Sequence, residues 1–174
     1  LKNFFLNQNI FNIVAFGFLI RALTLIFYGN PLFGDTETHR LIGTEIFNGQ
    51  IVTSSIHMPG YGVYMYLSNL IINSDLGFIF ADILISSATI YIIYLLFLEI
   101  FHKSILAKIT ASIFALYPFS IFYSISGLNE TLYIFLLLIS ILNFYRDKFF
   151  YGIFFIVLSI YVKSMSFFIA PLLI

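Results

Sequence analysis

Between positions 76 and 100 the chain runs through Leu, Ile, Phe, Tyr and small residues, with Asp82 and Glu99 as the charged exceptions. A helix made of such residues has no wet face, so it must be buried in protein or in lipid. About 20 mostly apolar residues are enough to cross a bilayer. Comparable blocks lie near 10–28, 106–123, 130–145 and 149–162, and a sixth begins at 165. Of the 174 residues, 61% are hydrophobic and 9% charged, against about 45–50% and about 25% in a soluble domain. Too little polar chain remains to cover six apolar helices with a wet surface. Within lipid only helices and closed barrels satisfy the backbone, and the blocks lack the strict alternation of barrel strands. The expected fold class is all-α: a polytopic integral membrane helical bundle.

Charge sets the expected orientation. Lys2, Lys103 with Lys108, and Arg146 with Lys148 fall at alternate block ends and so share one side, which the excess of Lys and Arg in cytoplasmic loops makes the inner one. The opposite, external side then receives the loop 28–74, the break 124–130 and the break 163–166. Within the loop, Asp35, Glu37 and Glu45 outnumber Arg40, as suits an external segment. Residues 35–48 place Ile42, Gly43, Ile46 and Phe47 on one helical face and Glu37, Arg40 and Thr44 on the other, the pattern of a helix lying at the interface. Residues 61–73 are apolar but too short to span, and read as a second juxtamembrane element. The first block is too long for a plain signal peptide and lacks a small-residue cleavage site, so it fits an uncleaved anchor.

Other classes fall away. Eight Lys and Arg against eight Asp and Glu give neither a nucleic-acid footprint nor a polybasic lipid patch. The absence of cysteine excludes disulfides and thiolate metal sites. A chain opening on Leu1 and stopping at Ile174 within an apolar run is expected to be the N-terminal part of a longer transmembrane domain, its C-terminal remainder missing.

Charges in or beside apolar spans are costly and call for a reason. Arg21, in the first block, either snorkels towards headgroups or is a buried cation pairing with an acid or an anionic substrate. Asp75, Asp82, Ser86 and Thr89 share one helical stripe, Asp75 as a cap and the others bonding across the bundle. Asp35 and Glu37 either cap and favour a helix N-terminus or, with His39, form a weak divalent-metal signature. Glu130 complements a helix N-terminus, and Lys163 stands at an outer end where the charge rule would not place it. Acids and cations gathered in the outer half of one bundle suit a substrate that joins a phosphate to a lipid tail.

The ordered set is Arg21; Asp35-x3-His39-x3-Gly43-x5-Gly49; His57-Met58-Pro59-Gly60-Tyr61; Tyr117-Pro118-Phe119-Ser120-Ile121-Phe122-Tyr123-Ser124; Gly127-Leu128-Asn129-Glu130; and Val162-Lys163-Ser164. It resembles the C-type glycosyltransferases that use polyprenyl- or dolichyl-phosphate sugars, whose branches include the protein O-mannosyltransferases and the lipid A aminoarabinose transferases. The chain departs from them in reading Asp-Thr-Glu where the mannosyltransferases have adjacent Asp-Glu. It also has lysine at 163, where arginine is usual.

The resemblance implies inverting transfer of a sugar from a polyprenyl-phosphate-linked donor to a lipid, glycan or protein acceptor. The reaction would run on the external face of a bacterial inner membrane. It implies Asp35 as general base, Glu130 as the acid that orients acceptor or sugar, and Lys163 with Arg21 or Arg40 as holders of the phosphate. Glu37, His39 and His57 complete the candidate substrate-binding set, and a divalent metal is an open option. No glycine-rich nucleotide loop is present, and an already activated donor needs none. The competing reading is a transporter or lipid flippase, in which intramembrane charges mark a path. A non-catalytic membrane scaffold is the third.

Overall fold

The computed structural model describes residues 9–52, 57–72, 74 and 76–173. The expectations for Lys2 and Asp75 lie outside the described residues. The helices are α1 (Ile10–Tyr28), α2 (Gly34–Phe47), α3 (Pro59–Ile71), α4 (Leu76–Phe101), α5 (Ser104–Leu116), α6 (Pro118–Tyr123), α7 (Glu130–Tyr145), α8 (Phe149–Val162) and α9 (Ser166–Leu173). Among the described residues there is no strand.

Local chemistry sets the helix ends. Asn9 caps α1 by accepting from the Phe11 N–H, and Gly29 stops it in the left-handed region (φ 72°) while its own N–H bonds back to the Leu25 carbonyl. Pro59 opens α3 at a first-turn position where a missing N–H costs nothing. The tight α4–α5 and α7–α8 connections use left-handed His102 (φ 51°) and Asp147 (φ 57°), residue types that tolerate this region better than most.

One expected element is split. Pro118 divides the block 106–123, because the residue before a proline is driven out of the helical region, and Tyr117 is accordingly extended (φ −66°, ψ 117°). The result is α5 and a six-residue α6. The proline has no N–H for the carbonyl of Phe114, and the Ser120 hydroxyl lies 3.0 Å from that oxygen.

The long helix α4 is the hub and packs against α1, α3, α5 and α7, with α8 lying on α7. The amphipathic loop helix α2 is partnered by the second loop helix, α3. Its apolar side packs on α3, where a Cβ added to Gly43 would strike the Gly62 carbonyl, and Phe47 stacks on Tyr66 with ring centres 4.2 Å apart. Two glycines facing each other let the backbones approach, which the face pattern does not reveal.

The distribution of polarity is inverted. Arg21, Asp82, Ser86, Ser120, Ser124, Ser140 and Ser159 are buried, while Phe27, Phe150 and Phe168 are 77%, 78% and 79% exposed. Among the described residues two helices, α1 and α4, are long and apolar enough to cross a membrane; α5, α7 and α8 are apolar but shorter. An ion pair marks each end of the bundle: Arg146 Nε to Glu99 Oε1 at 2.6 Å, and Lys163 Nζ to Glu130 Oε1 at 2.7 Å. The first joins the C-terminal ends of α4 and α7. The second joins the start of α7 to the end of α8.

Candidate functional site

Four segments meet at the Glu130–Lys163 end. The first turns of α2 carry Asp35 and His39, and His57 and Met58 form the approach to α3. The turn through left-handed Gly127 leads Leu128 and Asn129 into Glu130 at the start of α7, and Val162, Lys163 and Ser164 close α8. These residues line one pocket of about 270 Å³, close to the lower end of ordinary ligand sites. Short bonds tie the segments together: the Thr36 hydroxyl donates to the Ser126 carbonyl (3.2 Å) and the Asn129 amide to the Val162 carbonyl (3.4 Å).

The pocket is electrostatically unfinished. Lys163 gives one N–H to Glu130 Oε1, which leaves Glu130 Oε2 buried without a hydrogen-bond partner among the described residues. His39 Nδ1 is likewise buried and unpartnered. Such atoms carry a desolvation cost that a ligand can relieve. Burial pushes the His39 imidazole down to about 4; His57 adds to this and the nearby Asp35 and Glu130 oppose it. His39 is therefore neutral at pH 7, able to give or take one hydrogen bond. Asp35 is 66% exposed at its side chain, with His57 Nε2 3.7 Å from its Oδ1. It does not cap α2: Phe33 holds the cap position, and the Thr36 hydroxyl accepts from the Phe33 N–H.

The other candidates lie elsewhere. Glu37 pairs with Arg40 one turn on (3.3 Å), and neither lines the pocket. The Asp-x-Glu spacing therefore does not bring its two acids to one point, and no cluster of three His, Cys, Asp or Glu suited to a metal is found among the described residues. Arg21 is fully buried in the bundle and neither snorkels nor faces the pocket. It donates to Ser86 Oγ (2.7 Å), Ser120 Oγ (3.0 Å) and the carbonyls of Gly17 (2.9 Å) and Ala115 (3.2 Å). The Ala115 carbonyl belongs to the last turn of α5, just ahead of the proline break. A cation there complements the negative end of a helix whose carbonyls have lost their continuation.

Asp82 is fully buried and bonds across the bundle as its stripe suggested, but its partners were not legible beforehand: Tyr61 Oη donates to Oδ2 at 2.6 Å and Tyr64 Oη to Oδ1 at 3.0 Å. The one hint was two tyrosines three apart on a short helix, which share a face. Asn129 and Ser164 also went unassigned as site residues.

The chain matches no family model, no curated protein and no solved structure.

Proposed function

We propose that this chain is part of a multi-pass membrane glycosyltransferase that moves a sugar from a polyprenyl-phosphate donor to an acceptor hydroxyl, with inversion, in the Asp35–Glu130–Lys163 pocket. The observation that carries the reading is the convergence of an exposed carboxylate, a half-committed carboxylate and a lysine from distant segments around polar atoms that are buried and unpartnered among the described residues. Asp35 takes the proton of the acceptor hydroxyl as that oxygen bonds to the anomeric carbon. The bond from that carbon to the phosphate oxygen breaks, and its electron pair leaves with the polyprenyl phosphate. Lys163 has donors beyond the one given to Glu130 and balances the charge that develops on the leaving group. Glu130 Oε2 accepts from a sugar hydroxyl, and neutral His39 supplies a further polar contact.

The apolar exterior and hydroxyl-lined interior support a bilayer setting; the pocket's place on the external face follows from the charge rule, and a bacterial inner membrane is what the resemblance implies. At 16 and 14 residues, α7 and α8 reach about 24 and 21 Å against a core of about 30 Å. Local thinning and anchoring by flanking residues accommodate such a mismatch. The transporter reading draws on charges within the bundle, but Arg21 and Asp82 are both committed to internal hydrogen bonds. Neither lines a pocket found among the described residues.

The test is release of polyprenyl phosphate from polyprenyl-phosphate hexoses by purified protein containing this chain. Release that depends on Asp35 is expected. Absence of release across a panel of hexose donors and lipid, glycan and peptide acceptors would overturn the assignment.

A further inference from the structure

We propose that Tyr61 and Asp82 are positioning residues of this site: a buried clamp holding α3, and with it His39 and the His57–Met58 turn, against the ends of α7 and α8. The clamp serves the pocket assigned above to sugar transfer, but it does not depend on which reaction runs there. Neither residue lines the pocket. The short helix α3 follows directly on the pocket residues His57 and Met58, and three observations fix its place.

Both oxygens of buried Asp82 on α4 are taken by phenols of α3, Tyr61 at 2.6 Å and Tyr64 at 3.0 Å. One residue before Tyr61, a Cβ on Gly60 would run into the Tyr161 carbonyl and the Val162 nitrogen, so α3 begins in direct contact with the backbone that presents Lys163. The ring of Tyr61 meets that of His39 edge-on, with centres 5.1 Å apart and an angle of 80°. A shift of Tyr61 therefore moves the imidazole whose Nδ1 is unpartnered in the site. Burial and the neighbouring Asp82 push the Tyr61 phenol well above its ordinary range, so it remains a donor at any working pH.

The chain has no cysteine, so paired cysteines can report the position of α3 in the whole protein in nanodiscs. Met58→Cys with Ser164→Cys spans the pocket, and Glu99→Cys with Arg146→Cys spans the opposite end. With a short bis-maleimide both pairs should cross-link in the parent. Tyr61→Phe removes only the hydroxyl and should slow the pocket pair about fivefold, as expected for one lost buried hydrogen bond, while the opposite pair is unchanged. Asp82→Asn leaves one acceptor oxygen and should give an intermediate loss. Tyr64→Phe, which removes the longer bond, should give the smallest.

A purely structural loss would not move one histidine. In Tyr61→Phe, the His39 titration followed by NMR should rise from about 4 towards the ordinary value of about 6.5 as water reaches the ring. The charged and titratable groups facing that ring are Asp35, Glu130, His57 and Tyr61. An unchanged pocket pair in both Tyr61→Phe and Asp82→Asn would overturn the clamp. So would equal loss of both pairs in every variant, which would make these residues determinants of the whole fold. A clamp signal without polyprenyl phosphate release would overturn the transferase reading alone.

Discussion

The surroundings of Arg21 and the pocket at the Glu130–Lys163 end are both polar regions in an apolar bundle, and they handle polarity in opposite ways. Arg21 makes four hydrogen bonds to neutral oxygens and is closed off from solvent. The pocket holds two carboxylates, a lysine and two histidines, and leaves a carboxylate oxygen and a ring nitrogen unpartnered among the described residues. The first arrangement repairs structure, here the end of α5 at the proline break. An unsaturated one retains the means to bind. A buried charge in an apolar helix is thus not by itself a functional residue; what decides is whether its hydrogen-bonding capacity is already spent.

Substitutions can break this contrast, and the largest effect is expected at the closed region. Arg21→Ala removes the donor to Ser86, Ser120 and the Ala115 carbonyl at once, and at about 1–3 kcal/mol for each group left unsatisfied the loss should reach about 4 kcal/mol. A steep drop in the detergent melting temperature would show it. A melt close to the parent's would mean that Arg21 is not needed at the break.

At the open region the order reverses, with activity lost and stability kept. Asp35→Asn preserves shape and removes the proton acceptor of an exposed side chain, so turnover should fall about 100-fold or more with an unchanged melt. Full activity in Asp35→Asn would move the base role to Glu130. Lys163→Ala should weaken donor engagement by about 1.5–3 kcal/mol, read as a raised KM for the polyprenyl-phosphate sugar. An unaltered KM would remove lysine from the phosphate contact.

The smallest effect sharpens the boundary of the pocket. Glu37→Gln breaks only an exposed pair with Arg40, worth a few tenths of a kcal/mol, and transfer should be unaffected. A large loss of transfer there would bring Glu37 back into the site and revive the divalent-metal option of the Asp-x-Glu spacing.

Much of the helical layout was legible in the sequence because it is local. Helix ends at Ile10, Tyr28, Glu130, Tyr145, Phe149 and Val162 coincide with those read from the apolar blocks, since caps, glycines and polar breaks act within a turn. The division of the block 106–123 was local too. The effect of Pro118 on its preceding residue was there to be used, and the continuous apolar run masked it. Asp35, His39, His57, Glu130 and Lys163 were named as candidates and meet at one pocket, whereas Arg21, Arg40 and Glu37 were named with them and do not.

The sequence by itself determined which segments are helices, that they are rich in apolar residues, and which charges stand near which helix end. These follow from hydropathy, period and capping, and each needs only neighbouring residues. The tertiary structure alone decided which polar atoms meet. Whether Arg21 turns to the α5 break or to a substrate, whether Asp82 finds tyrosines, and whether Lys163 finds Glu130 all depend on how each helix is rotated and how closely it approaches its neighbours. Contacts such as Gly43 with Gly62 and Gly60 with Tyr161 set that approach, and a hydrogen bond tolerates only a few tenths of an ångström of error. No pattern along a single helix carries that information.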